Sequence, residues 1–254
     1  MATSSTVENY LKAIYQAQSA AEDKQALVPM GHLASALGVV PGTATTMVKT
    51  MVGSGLVAYE PYSGVRLTEA GEHLAAMVLR RHRLVELFLV QIMGMSWAEV
   101  HEDAEQLEHV VSDRLIERMD AMLGHPSVDP HGDPIPTPDG TVAAPNYHSL
   151  LTCPLHIAVT VTRVTDQDAS FLRFLENQNL KPGNSLEVEA RDSAADSVQL
   201  RTSAGHQITI GMQAGDRQCA ILRALATNYR PHLDVKVRNA TNTSENSTVM
   251  EVNN

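Results

Sequence analysis

The sequence predicts a mainly α-helical protein with small β elements: a winged helix-turn-helix at the amino terminus, two long helices behind it, and a small β-barrel-like domain towards the carboxyl end. Three observations predict it. Apolar residues recur at helical spacing through most of 6–123, strand-like runs broken by turn residues fill 157–210, and a proline-rich stretch separates the two regimes. At 254 residues the chain exceeds what one hydrophobic core usually serves, so two or three domains are expected. Its 43% hydrophobic and 19% charged residues, with a mean hydropathy of -0.14, belong to a soluble globular protein and not to a disordered or membrane-embedded one.

From Thr6 to Gln18, Val7, Tyr10, Leu11, Ile14 and Tyr15 follow the period of an amphipathic helix. After Pro29 a short helical run from Gly31 to Leu37 stops at Gly38, and Pro41 stands in front of a second run from Thr43 to Val52. Leu56 to Glu60, a Pro61-Tyr62-Ser63-Gly64 turn, and Val65 to Thr68 read as a hairpin. Three helices closed by a hairpin make a winged helix-turn-helix over residues 1–68, whose third helix can enter a DNA major groove. The candidate DNA contacts are Pro41, Thr43, Thr45, Thr46 and Lys49 at that helix, with Tyr62 and Ser63 at the wing tip. Short hydroxyls and a cation can meet phosphates or base edges, although a solvated polar face has the same composition.

Thr68 caps a long helix, with Glu69 and Glu72 in its first turns and an apolar body from Leu74 to Ile92 that ends at Gly94. Ser96-Trp97-Ala98-Glu99 reads as a capping box that opens a second long helix running to Leu123 and stopping at Gly124. The apolar residues of this 69–124 unit exceed what a winged helix can cover, so a two-fold dimer is expected. Residues 125–150, with Pro126, Pro130, Pro134, Pro136, Pro138 and Pro145, read as a linker. A β-rich domain follows over 151–229, with strands at Ile157 to Val164, Ser185 to Ala190, Ser197 to Arg201 and Gln207 to Ile210, and a helix from Ala169 to Asn177. The Asn-, Thr- and Ser-rich tail 230–254 reads as disordered, and its sequons at Asn239 and Asn242 mean nothing without a secretory signal.

No run approaches about 18 apolar residues and no signal peptide is readable, so a cytoplasmic protein without membrane partners is expected. Cys153 and Cys219, far apart, exclude a disulfide-dense scaffold and a four-thiolate zinc site. A net charge of -10 and a pI near 5.5 argue against standing affinity for a polyanion unless bound cations change the local sum.

The most informative stretch is His101 to His109. At about 100° per residue, His101, Glu105, Glu108 and His109 share one helical face. Such a stripe, bordered by Ala104, Leu107 and Val111, is costly to bury without a cation; the alternative is a solvated acidic face. His82 and Glu86, one turn apart on the preceding helix, add a second His and Glu pair, and Asp129 and His131 add donors in the proline-rich segment. The zinc-protease histidine pair, Glu-x-x-His, Gly-x-Ser-x-Gly, P-loop and dinucleotide motifs are all missing, so no enzyme is expected.

Arg81-His82-Arg83-Leu84-Val85-Glu86 and Glu105-x-x-Glu108-His109 behind a winged helix, followed by Gly132-Asp133-Pro134-Ile135-Pro136, resemble the diphtheria toxin repressor family of metal-dependent transcriptional regulators over residues 6 to about 228. The resemblance implies a homodimer with a DNA-binding domain, a metal-binding dimerisation domain and a C-terminal SH3-like domain. It also implies repression of metal-uptake genes when Fe(II) or Mn(II) is bound. It places a primary metal site on Glu105, Glu108 and His109, with Asn9 at the first-helix position, and an ancillary site on His82, Glu86 and His101. Asp129 and His131 fall where some three-domain members have cysteine and histidine ligands, and Asp166 or Asp168 would complete that shell. Glu105 stands where the iron-sensing branch typically has cysteine and the manganese-sensing branch glutamate. Mn(II) is therefore the expected metal, with Fe(II) second and other divalent transition metals binding in vitro. Two positions depart: Asn9 is neutral where the manganese branch supplies a carboxylate, and Lys12 stands where some members place another acid.

The expected function is a metal-dependent repressor of metal-homeostasis genes that binds a palindromic double-stranded operator as a homodimer. A metal-binding or storage module without DNA binding, and a metal-independent winged-helix regulator, are the alternatives.

Overall fold

The computed structural model describes residues 4–21, 23, 25–143, 148–211 and 222–226, the last of these by their backbone. The expected tail at 230–254 with Asn239 and Asn242, together with Pro145 and Cys219, lies outside the described residues. Three cores organise the chain, one for the winged helix, one for the central helices and one for the C-terminal sheet.

Helix α1 (Ser5–Ala20) starts on Ser4, whose Oγ accepts from the Val7 amide, and buries Tyr10, Leu11 and Ile14. Helices α2 (Met30–Ala36) and α3 (Pro41–Gly53) follow, with Ala44, Val48 and Met51 of α3 facing the core. Pro41 lies inside the first turn of α3 and not ahead of it, a position where its missing N–H leaves no bond unmade. Strands β1 (Val57–Glu60) and β2 (Gly64–Leu67) pair antiparallel as the wing.

At the wing tip the Ser63 amide donates to Glu60 O at 3.1 Å across Pro61 and Tyr62, and Tyr62 adopts a φ of 68°. Proline suits the first central position of such a turn, but a left-handed tyrosine is strained. Tyr62→Gly should therefore raise stability by about 0.5–1 kcal/mol in urea denaturation. A loss of stability would show that the ring, although fully exposed, packs more than it strains.

Helix α4 (Glu69–Gln91) starts on Thr68, whose Oγ1 accepts from the Gly71 amide at 3.2 Å. Its first half packs on the winged helix through Ala75, and its second half meets α5 (Val100–Leu107) and α6 (Asp113–Met122). The single helix expected from Ser96 to Leu123 is thus two helices. Val110 and Val111 are β-branched, and Ser112 takes an extended conformation (φ -71°, ψ 151°) as the N-cap of α6, which ends helical pairing at that point. Nor does the expected capping box form. Ser96 Oγ accepts from Ala98 at 3.3 Å in a turn, and α5 begins only at Val100.

The expected linker is a packed strap in its first part. Val128 bridges Pro134, Ile135 enters the central core, and Arg80 and Arg83 of α4 donate to the Pro136 and Pro134 carbonyls at 2.7 and 2.5 Å. Proline-rich backbone has few ladder partners for its carbonyls, and the α4 arginines satisfy them.

The C-terminal part is an antiparallel six-stranded sheet in the order β3-β8-β4-β5-β6-β7, made of β3 (His148–Ser149), β4 (Ala158–Val164), β5 (Ser185–Asp192), β6 (Ser197–Thr202), β7 (Gln207–Gly211) and β8 (Leu222–Ala226), with α7 (Ala169–Asn177) between β4 and β5. Strands β3 and β8 were not predicted: one is two residues long, and the other, Leu222-Arg223-Ala224-Leu225-Ala226, lacks β-branched residues. Trp97 and Ala98, from the turn before α5, are buried in this domain's core and seat the sheet against the central helices. Among the described residues no helix is long and apolar enough to cross a membrane.

Candidate metal centre

The centre is built where α4 passes α5, the strap and α1. His82 and Glu86 project from one face of α4, one turn apart, and the Glu86 side chain is 1% exposed. His101 and Glu105 lie one turn apart on α5, as predicted from their spacing. Glu108 caps that helix with helical dihedrals (φ -56°, ψ -27°) and its amide on Ala104 O, so it continues the face of His101 and Glu105, and His109 follows just past the helix end.

Two pockets result, with His82 between them. In the outer pocket, His82 Nδ1 meets Glu108 Oε2 at 2.5 Å, and His82, Glu105 and Glu108 offer donor atoms all within 4.8 Å. His109 bridges to α1, its Nδ1 at 2.6 Å from Glu8 Oε2 and its Nε2 at 2.8 Å from Asn9 Oδ1. In the inner pocket, Glu86 Oε1 takes His82 Nε2 at 3.0 Å and His101 Nδ1 at 3.2 Å. Glu86, Asp129 and His131, all buried, form a further group within 4.8 Å.

Burial works against charge on His82, but its bonds to the Glu108 and Glu86 carboxylates outweigh it and push the imidazole up to about 9. Burial likewise works to raise Glu86, yet hydrogen bonds from His101 and His82 hold it below the usual carboxylate range. Glu108 is held down against its own burial by His82 and Lys12. Asp129 goes the other way: burial, then the charges of Asp133 and Glu86, raise it well above an ordinary aspartate. Its Oδ1 accepts from the His131 and Asp133 amides at 2.8 and 2.9 Å, which shapes the strap around it.

The inner pocket fits a divalent ion on one observation above all. His131 Nε2 lies 2.8 Å from Trp97 O, a carbonyl that can only accept, so that nitrogen holds the proton. The other, Nδ1, is buried without a hydrogen-bond partner and faces Glu86 Oε2 at 3.8 Å and Asp129 Oδ1 at 4.0 Å. A cation between Nδ1 and these two side chains would give that nitrogen a partner, and a second-nitrogen bond to a carbonyl is how ligating histidines are oriented.

The predicted DNA contacts lie on α3 and at the wing tip. Pro41, Thr43, Thr46 and Lys49 are exposed on α3, Thr45 is half-buried, and Tyr62 and Ser63 stand at the hairpin tip. The Thr45 and Thr46 hydroxyls donate back to Pro41 O and Gly42 O, leaving their lone pairs outward. Asp166 and Asp168 do not complete the metal shell. Asp168 caps α7, accepting from Ser170 and Phe171, and Asp166 accepts from the Asp168 amide. The C-terminal domain reaches the strap through Arg163 and Gln167, which both bind Asp133.

Sequence reasoning missed three participants. Glu8, on the same face of α1 as Asn9 and Lys12, could have been found from its one-turn spacing to Lys12. The Trp97 carbonyl and Asp133 could not, since a backbone acceptor and a strap contact leave no mark in spacing.

Residues 2–65 match the iron dependent repressor N-terminal DNA binding domain, 68–137 the iron dependent repressor metal binding and dimerisation domain, and 148–217 the FeoA domain. The iron-dependent repressor IdeR of Mycobacterium tuberculosis is 35% identical over 132 residues, 52% of this chain and 55% of IdeR, so the chain spans about half the length of that curated relative. A solved manganese-dependent transcriptional repressor in complex with manganese is 36% identical, with a TM-score of 0.77 over 87% of this chain and 99% of that one. The manganese regulator SloR is 30% identical, with a TM-score of 0.66 over 86% and 96% of the two chains. Matched by both repressor domains in order, and 36% identical to a solved repressor covered almost end to end, this chain belongs to the iron-dependent repressor family, that of the diphtheria toxin repressor.

Proposed function

We propose that this protein is a metal-dependent DNA-binding repressor of metal-homeostasis genes, acting in the cytoplasm as a homodimer on a palindromic operator, with Mn(II) as co-repressor and Fe(II) second. The observation that supports it most is the buried His131 Nδ1, unpartnered and facing Glu86 and Asp129. His82, Glu86, His101, Asp129 and His131 would hold the inner ion; Glu105, Glu108, His109 and Asn9 line the outer pocket. Oxygen and imidazole donors without thiolate suit Mn(II) and Fe(II) by chemistry, and the likeness to the manganese regulator SloR and to the manganese-bound repressor favours the first.

A bound divalent ion supplies positive charge and bonds that join α4, α5 and the strap. The chain's own residues relay that state outward: His109 ties the end of α5 to Glu8 and Asn9 of α1, and α1 packs into the core that positions α3. Ile92, Met93, Val110, Leu115 and Met122 remain exposed on and around α4 and α6, an apolar surface suited to a second copy. Two such subunits would set their α3 helices about one DNA turn apart, roughly 34 Å.

The test begins with duplexes selected from a random library in Mn(II), then measures their retention in Mn(II), Fe(II), Zn(II) and chelator. Retention of an inverted repeat should fall by about 5–150-fold in chelator, the range of an ordinary coupling of 1–3 kcal/mol. Equal retention in chelator would point to the metal-independent regulator, and failure to select any duplex in Mn(II) to a binding module without DNA.

A further inference from the structure

We propose that Lys12 is a tethered cation, its ammonium group filling the outer carboxylate pocket where an ion would otherwise bind, so that each protomer holds a single divalent ion, in the inner pocket. Lys12 Nζ lies 2.5 Å from Glu105 Oε1 and 2.7 Å from Glu108 Oε1. The Lys12 and Glu108 side chains are 8% and 0% exposed, so this pair is shut away from water and screened little by salt.

Apart from the second Glu105 oxygen, the remaining donors of the outer pocket are already engaged. The second Glu108 oxygen is taken by His82, and both ring nitrogens of His109 are taken, one by Glu8 and one by Asn9. Asn9 is neutral, and the one carboxylate that α1 adds beside it, Glu8, is engaged by His109 at 2.6 Å and by Arg81 at 3.7 Å, so the group α1 sets between Glu105 and Glu108 is a cation. For an ion to enter, the Lys12 ammonium would have to leave its two carboxylates, and a buried charge stripped of its partners is costly. The inner pocket differs: no lysine or arginine nitrogen lies among His82, Glu86, His101 and His131, Arg83 Nε stands only at its edge, 3.7 Å from Asp129 Oδ2, and the His131 Nδ1 has no hydrogen-bond partner.

The consequence is mechanical. α1 is fastened to α5 by a covalently attached charge at all metal concentrations, and the metal response falls to the contact of α4 and α5 with the strap. This last step rests on the metal-dependent reading given above; the filling of the outer pocket by Lys12 does not.

The experiment counts Mn(II) per protomer by equilibrium dialysis and elemental analysis, on the full chain and on Lys12→Glu, Lys12→Met and His131→Ala. Wild type should bind about one ion, His131→Ala should lose it or bind it at least tenfold more weakly, and Lys12→Glu should gain a second. Lys12→Met keeps the apolar stem and decides the matter if Lys12→Glu does not fold; it too should gain an ion. Two ions in wild type, unchanged in both Lys12 variants, would overturn the proposal. No ion in wild type with one gained in the Lys12 variants would support Lys12 as the occupant while sinking the inner-ion reading. No ion in any of the proteins would sink both.

Discussion

Glu108→Ala should destabilise the metal-free protein by about 3–5 kcal/mol, the usual cost of breaking a buried ion pair from one side. The wild-type carboxylate has no solvent exposure and takes Lys12 Nζ at 2.7 Å and His82 Nδ1 at 2.5 Å. Alanine leaves Lys12 with Glu105, and His82 with Glu86 and a more distant Glu105 at 3.9 Å. Denaturation in chelator measures the loss, and adding Lys12→Met should restore much of it, because the stranded ammonium is then gone. A loss below about 1 kcal/mol, or losses that simply add in the double variant, would mean that the pair is not coupled. The pH dependence has a definite sign. The His82 imidazole is raised from its ordinary 6.5 to about 9, so its stabilisation is complete below 6.5 and lost as pH rises through about 9. The gap between wild type and Glu108→Ala should therefore narrow above that pH.

That prediction could not have been framed from the sequence, and the reason is physical. Local periodicity placed α1 and α7 within two residues of their observed ends, because each buries one apolar stripe and starts on a capping residue, Ser4 or Asp168. The histidine and carboxylate spacing of α4 and α5 was legible on the same grounds. Lys12, by contrast, meets Glu105 and Glu108 across more than ninety residues, and no local pattern encodes such a contact. The break at Val110 to Ser112 was misread because the flanking apolar residues keep helical spacing through it. The strap was misread because proline excludes regular structure without excluding packing, and its order comes from arginines on α4.

Gly132→Ala should cost about 2–5 kcal/mol and weaken Mn(II) binding by about 10–100-fold. Gly132 has a φ of 86°, where an L side chain loses about 1–2 kcal/mol. An added Cβ would lie 1.9 Å from Thr162 O and 2.7 Å from Arg163 Cα, backbone atoms that cannot swing aside. Overpacking of this kind adds about 1–3 kcal/mol. Thr162 lies where β4 shifts register between Val161 and Arg163, and the neighbouring Val164 amide donates to His131 O at 2.8 Å. The strap therefore rests directly on the C-terminal sheet, and moving it away draws His131 Nδ1 and Asp129 off Glu86. Losses of 10–100-fold are ordinary when the supports of metal ligands move. The winged helix has its own core and should keep its fold, which amide exchange confined to that domain would verify. If Gly132→Ala binds Mn(II) as wild type does, the strap donors are not ligands, and the ion must be held by α4 and α5 alone.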